Sequence, residues 1–184
     1  MSNVKTKTDL HSATFSLSHK LIRTFWACIY NVFIRFSPVP LFRYRRWVLG
    51  LFGCKLASNV NVYPSVKIWL PSNLSIGKGS TLGPNVNVYN QGEIIICENV
   101  IVSQGAHLCA STHDYSDPLH PLLLAPITIR DDVWVCTDAF IGPNVDVSTG
   151  CVIGARSVLT KSTDEWGVYA GNPSRRVNER KRFY

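Results

Sequence analysis

Between Ile127 and Thr160 the chain repeats itself every six residues. Ile129, Val135, Ile141, Val147, Ile153 and Leu159 are all aliphatic. Four places after each of the first five stands a small or slim residue: Val133, Ala139, Val145, Cys151 and Ser157. A step of six matches neither the 3.6-residue period of a helix nor the two-residue alternation of a strand. The same step runs through Leu70, Ile76, Leu82 and Val88, with Leu74, Ser80, Val86 and Gly92 four places on. It slips by two, resumes at Ile96, Val102 and Leu108, breaks from Ala110 to about Pro126, and restarts at Ile129. If each hexapeptide makes one short strand and one sharp turn, three of them close a triangular coil of about 18 residues. Stacked coils then set every sixth side chain in one interior column, with a small residue near each corner. The second position is often glycine (Gly77, Gly83, Gly142, Gly154) and the fourth often Asn or Asp (Asn73, Asn85, Asn99, Asp132, Asn144). Those residue types enter left-handed or tight turns at low cost. The pattern predicts an all-β solenoid, a parallel β-helix of hexapeptide repeats, interrupted by one extended loop around His113.

Upstream the period changes. Ile22, Trp26, Ile29, Phe33 and Phe36 recur at three or four and predict a helix over about 18–36, stopped by Ser37-Pro38-Val39-Pro40. LFRYRRWVLGLF reads as a second short helix ending near Gly53, and residues 1–17 are polar and expected to be poorly ordered. The domain reading is a basic, aromatic helical segment over 1–57, the β-helix over 58–165 and a tail over 166–184.

Charge sharpens this division. The net charge is +7, yet residues 1–55 hold nine Lys or Arg against one acid, Asp9, while residues 56–160 hold eight acids against four bases. Interleaved aromatic and basic motifs, zinc-finger spacing and RNA-binding signatures are all missing, which argues against nucleic acid as a partner. Basic ends fit anionic lipid heads or a phosphorylated cofactor better. The chain is 46% hydrophobic and 17% charged, so apolar surface is expected to face a partner or a membrane. Six cysteines without a C-x-x-C pair read as buried, reduced thiols, and hence a cytoplasmic protein. The apolar run LIRTFWACIYNVFIRF is broken by Arg23 and Arg35, so it reads as neither a signal peptide nor a membrane span.

The chemistry is expected where the repeat breaks. CASTHDYSDPLHPLLLAPI, residues 109–127, holds His113 with Asp114, Asp117 and His120 close by. A histidine titrates near neutrality and serves as a general base, although a histidine here also suits a strand end. STHDYSDP, APITIRDDVWV, IGARSVLTK and YAGNPSRRV together resemble the hexapeptide-repeat acetyltransferases, most closely the branch assigned to colanic acid and related exopolysaccharide biosynthesis. The resemblance covers roughly residues 45–180, and more distant relatives are the galactoside and maltose O-acetyltransferases.

That resemblance implies a left-handed winding, a homotrimer with the active site between adjacent solenoids, and acetyl-CoA as co-substrate. It implies His113 as the base that activates an acceptor hydroxyl, with no metal and no covalent acyl carrier at Cys109. Thr137, Ala155, Thr160 and Lys161 match positions along the pantetheine and phosphate track; Pro173 and Arg175 match the segment at the adenosine end. Asn85 matches an acceptor contact, though it also occupies a turn position where Asn is common. The glutamate that follows the histidine in those relatives is missing, leaving Asp114 or Asp117 to orient the ring. Trp134 either walls the acyl pocket or packs on a neighbouring subunit.

The implied reaction is O-acetylation of a sugar in surface polysaccharide biosynthesis, with N-acetylation of an amino sugar or nucleotide sugar as the alternative. A non-enzymatic, membrane-associated scaffold is a further class. A zinc enzyme of the trimeric β-helix type is disfavoured, although His107 and His113, six apart, are expected to stack one strand spacing from each other. Residues 18–52 carry two open readings: a cap on the first coil, or peripheral contact at the inner face of a membrane.

Overall fold

The computed structural model describes residues 14–183; residues 1–13, most of the stretch expected to be poorly ordered, lie outside the described residues. Short strands stack into three parallel sheets, the faces of a prism. The first face holds Lys55–Leu56, Leu74–Ile76, Ile94–Ile96, Ile127–Ile129 and Asp146–Val147. The second holds Asn61–Val62, Thr81–Leu82, Ile101–Val102, Trp134–Val135, Val152–Ile153 and Gly167–Ala170; the third holds Lys67–Ile68, Asn87–Tyr89, His107–Cys109, Phe140–Ile141 and Val158–Leu159. Each strand pairs in register with the coils above and below, so the aliphatic column of each face is continuous. Leu82, Val102, Val135 and Ile153 on the second face are fully buried, as are Val88, Leu108 and Ile141 on the third. The small residues expected beside the corners are buried as well, among them Ser80, Ala139, Cys151 and Ser157. The fourth-position turns are left-handed at Asn85, Asn99, Asp132 and Asn144, with φ between 55 and 59°.

The three corners are unequal. The later coils step by six, Ile129 pairing with Val147 and Ile141 with Leu159. The earlier coils are two residues longer: Leu56 pairs with Ile76, and Ile76 with Ile96. The two additional residues fall each time at the third corner, between the third and first faces. There Pro71–Asn73 forms a single 3-10 turn. Buried Asn90 accepts from the backbone N–H groups of Trp69 and Leu70 (3.1 and 3.2 Å) and donates to the Leu70 carbonyl (2.6 Å). Asn73 Nδ2 donates to the carbonyls of Asn90 and Gln91 (3.3 and 2.9 Å). Leu70 and Asn73 therefore belong to a wide corner, not to the interior column and the left-handed turn that counting by six assigned them. The same geometry corrects the pairing of His107 with His113. Neighbours one strand spacing apart are a whole coil apart in sequence: His107 faces Asn87 below and Phe140 above.

Two helices, α1 (Leu17–Ile29, extended by a π-turn over Tyr30–Ile34) and α2 (Phe42–Leu51), close the open end below the first coil. The first-coil residues Asn61 and Tyr63 turn their N–H groups to the second coil, donating to Ser80 and Leu82. In a parallel ladder the alternate residues face the other way, and below the first coil no further coil accepts them. The helices supply donors instead. Arg45 Nε donates to the Val62 carbonyl (2.6 Å), Arg46 Nη1 to Val60 (2.8 Å), Trp26 Nε1 to Ile68 (2.8 Å) and Tyr30 Oη to Pro64 (3.3 Å). Arg45 is fully buried and also donates to Ser37 Oγ and to the Pro38 and Val39 carbonyls, so its charge is held by neutral oxygens. Arg45 and Trp26 thus face the solenoid; a membrane-facing role for them is excluded.

The cysteines are all free, but their burial varies. Cys54 and Cys151 are buried, and burial pushes the Cys54 thiol up to about 12. Cys97, Cys109 and Cys136 are half-buried and Cys28 is exposed on α1, so the expectation of uniformly buried thiols fails there. At the other end, Arg175–Glu179 folds back antiparallel on Gly167–Ala170. Arg180 is not part of a solvated tail, for its Nη1 donates to the carbonyls of Asp132 and Gly150 (2.8 and 3.1 Å).

Candidate active site

The wide corner is where the chain makes its excursion. Ala110 ends the third face of the third coil, and Ser111–His113 pairs antiparallel with Leu122–Leu124, His113 opposite Leu122. The loop between them is built from local hydrogen bonds. Asp114 Oδ1 accepts from Ser116 N (2.9 Å) and Asp117 Oδ1 from Leu119 N (2.8 Å). The Asp117 carbonyl accepts from His120 N (2.9 Å), and His120 takes a left-handed φ of 44°. That twist brings the His120 carbonyl to 2.7 Å from Nδ1 of His113. A carbonyl only accepts, so Nδ1 carries the proton and Nε2 presents its lone pair. Asp114 and Asp117, the residues expected to orient the ring, are turn-formers in this loop. The group on the imidazole is a main-chain oxygen, whose identity the side-chain sequence does not announce.

His113 borders a cavity of about 460 Å³ together with Lys20 from α1, Tyr89, Gln91, Cys109 and Leu122. Gln91 is buried with its Oε1 unpartnered, and burial raises the Tyr89 phenol, as does nearby Cys109. Cys109 donates weakly to the Ser111 carbonyl (3.4 Å). Sequence reasoning missed Lys20, Tyr89 and Gln91, because they reach His113 only through coil stacking and the fold-back of α1.

The residues matched to the donor divide between two corners. Thr137 and Ala155 lie on successive coils at the second corner, where the Thr137 carbonyl accepts from Arg156 N (2.9 Å). The tail turn sits on the same edge: Val158 N donates to Gly171, and Ser174 N donates to the Val158 carbonyl (3.0 and 2.9 Å). This turn carries Pro173 and Arg175, both exposed, with Arg175 Nη1 donating to the Ser174 carbonyl (3.0 Å). Thr160 and Lys161 follow Leu159 at the third corner, two strand spacings, about 10 Å, above the strand that leads to His113. Among the described residues neither Lys161 nor Arg175 pairs with a carboxylate, which leaves both cations available to phosphates. Asn85 sits at the second corner, its N–H donating to Ser65 Oγ (3.0 Å), and does not line the His113 cavity. Trp134 is half-exposed on the second face and donates to Ser103 Oγ (3.0 Å). No group of three His, Cys, Asp or Glu side chains among the described residues is arranged to hold a metal ion.

No protein-family model matches the chain. It is 38% identical over 159 residues to the colanic acid biosynthesis acetyltransferase WcaF of Escherichia coli K12, covering 86% of this chain and 87% of that one. Among solved structures, a galactoside acetyltransferase in complex with coenzyme A superposes with a TM-score of 0.82 at 24% identity, over 89% of this chain and 83% of that one. A maltose O-acetyltransferase from Clostridium difficile 630 gives 0.81 at 20% identity, over 91% and 90%. These superpositions identify the fold as the left-handed parallel β-helix of hexapeptide repeats.

Proposed function

The chain belongs to the hexapeptide-repeat acetyltransferase family that includes WcaF, and from that premise we propose that it transfers an acetyl group from acetyl-CoA to a hydroxyl of a sugar destined for a surface polysaccharide. The observation that carries this reading is the His113 imidazole at the border of a cavity, held through Nδ1 by the His120 carbonyl, which leaves Nε2 as the nitrogen able to accept a proton. Nε2 takes the proton of the acceptor hydroxyl as its oxygen attacks the thioester carbonyl, and returns it to the departing thiolate. The oxyanion formed in between calls for a backbone N–H at the coil edge, and much of the rate comes from holding the two substrates together. Transfer is direct, with no acyl-cysteine. Lys161 and Arg175 meet the phosphates of CoA, while Thr137, Ala155, Thr160 and Pro173 line its path.

Two further parts belong to the same reading. His113 with Lys161, and Asn85 with Thr137 and Ala155, stand on different edges of one prism. A second copy brings its second corner against the third corner of the first, and three copies close the ring, giving a homotrimer with shared sites. Leu17, Leu21 and Phe25 on α1, Val32 in its π-turn and Phe36 just beyond are all at least 60% exposed, and the cations Lys20, Arg35 and Arg43 of the same N-terminal segment are exposed too. No described helix is long and apolar enough to cross a bilayer. These exposed residues suit an anionic membrane surface, where a lipid-linked saccharide is presented.

The test uses radiolabelled acetyl-CoA with the intact protein and matched hydroxyl and amino sugars. Alkali-labile label in the saccharide, with Cys109→Ala still active, supports O-acetylation by direct transfer. Alkali-stable label moves the reading to N-acetylation, and an acetylated protein intermediate contradicts direct transfer.

A further inference from the structure

A second cavity, about 380 Å³, opens between α1 and the third face, below the His113 cavity and sharing Tyr89 with it. Its walls include Arg23, Tyr30 and Asn31 from the helix and Lys67, Trp69 and Asn87 from the first two coils. Trp69 stands beneath Tyr89, their rings 4.8 Å apart edge to face, and Tyr89 pairs with Cys109 in the coil above. A band of aromatic side chains therefore runs down the third face from the excursion to the lower cavity. Over two coils that distance is about 10 Å.

The lower cavity contains a cation that its own fold does not neutralise. The Arg23 guanidinium lies 3.0 Å from the Trp69 ring centroid, half-buried against α1. Among the described residues no carboxylate pairs with it, and its Nε is buried without a hydrogen-bond partner, as is Trp69 Nε1. Burial lowers the Arg23 pKa from its ordinary value. Lys67 stands exposed at the rim, and Lys20 lines the cavity above. Among the described residues no Asp or Glu lines either cavity. A partly desolvated cation without a counter-ion is more stable when an anion occupies the site. An aromatic wall with Asn31 and Asn87 beside it suits the apolar face and hydroxyls of a sugar ring.

We propose that the acceptor is an acidic saccharide, and that Arg23, with Lys67 and the Trp69 wall, binds its anionic group, a carboxylate or a phosphate, about two coils from the hydroxyl presented to His113. This specificity rests on the proposed O-acetylation of a sugar and names the class of sugar. Arg23 is a binding residue remote from the reacting atoms.

The experiment is calorimetric titration of the intact protein with p-nitrophenyl β-glucuronide, p-nitrophenyl β-glucoside and glucose 6-phosphate. Arg23→Met, which keeps an unbranched side chain but removes the guanidinium over Trp69, and Lys67→Met at the exposed rim are titrated beside it. A charge-assisted contact of this kind makes the anionic ligand about tenfold tighter than its neutral counterpart. Arg23→Met removes most of that preference, and Lys67→Met reduces it. Tighter binding of glucose 6-phosphate than of the glucuronide assigns the anion as phosphate; the reverse assigns it as carboxylate. Equal binding of the glucuronide and the glucoside with no binding of glucose 6-phosphate, or a preference untouched in both variants, overturns the proposal. Preferred binding of anions together with no acetyl transfer to any saccharide leaves the anion site standing and overturns the proposed reaction instead.

Discussion

The second and third corners of the prism are made by the same chain under different rules. At the second corner the four coils above the first turn through a left-handed residue in the same place: Asn85, Gly105, Asp138 and Arg156, with φ between 56 and 72°. The outcome is a straight, repetitive edge on which Thr137 and Ala155 stack. At the third corner the early coils carry two additional residues, buried Asn90 replaces the left-handed turn as the organiser, and the excursion to His113 springs from that wider base. Regularity builds a track of fixed spacing, suited to an extended substrate. Irregularity frees side chains and a main-chain carbonyl to be aimed. The proposed function accordingly assigns the chemistry to the third corner and substrate contact to the second.

The largest effect that sharpens this contrast is on turnover. On the proposed mechanism His113→Ala removes the general base, and acetyl transfer is expected to fall by about 10²–10⁴-fold in kcat. Asn85→Ala, at the regular corner, is expected to change kcat far less; steady-state rates on both variants check this, and a comparable loss at Asn85 would break the comparison. The next effect lies outside both corners. Arg45→Met leaves the Val62, Pro38 and Val39 carbonyls unpaired beneath the first coil. Destabilisation of about 3–5 kcal/mol is expected in urea unfolding, with kcat per folded molecule retained.

A smaller effect compares the corners directly. A Cβ at Gly92, on the third corner, would stand 2.5 Å from the Ala110 carbonyl oxygen, at the root of the excursion. One at Gly83, on the second, would meet its nearest backbone atom at 3.0 Å. Gly92→Ala is expected to cost about 1–3 kcal/mol and to lower kcat, with Gly83→Ala milder on both counts. Denaturant melts and rates on the two variants decide it, and the reverse order would contradict the assignment. The smallest test concerns thiols. Near pH 8 a thiol reagent should label exposed Cys28 quickly, while Cys54, buried and pushed up to about 12, and buried Cys151 should react only on unfolding.

How far the sequence carried the reading follows the same division. Where the chain obeys the six-residue step, the fold was legible: the interior columns and the left-handed turns at Asn85, Asn99, Asp132 and Asn144 fall where counting put them. Counting misplaced Leu70 and Asn73, because the wide corner adds two residues that a hydrophobic Leu70 conceals. His113 could be singled out because it begins the break in the repeat. Its partner could not, since Nδ1 is held by a peptide oxygen and not by Asp114 or Asp117. Nor could Trp69, Tyr89 and Arg23 be joined to the site, since they meet it only after two coils stack and α1 folds back. The basic, aromatic N-terminal segment left cap and membrane contact open. The carbonyls below the first coil account for Trp26, Arg45 and Arg46, and the exposed apolar residues of α1 are what they leave unexplained.

The central claim is that one site divides its labour, His113 for the chemistry and the cations near the last coils for the donor. Calorimetric titration of acetyl-CoA into the intact protein, with His113→Ala and Lys161→Ala beside it, tests this most directly. The account predicts saturable binding, unchanged in His113→Ala and weakened about tenfold in Lys161→Ala. Absence of binding in the folded protein, or binding abolished by His113→Ala and untouched by Lys161→Ala, would contradict it.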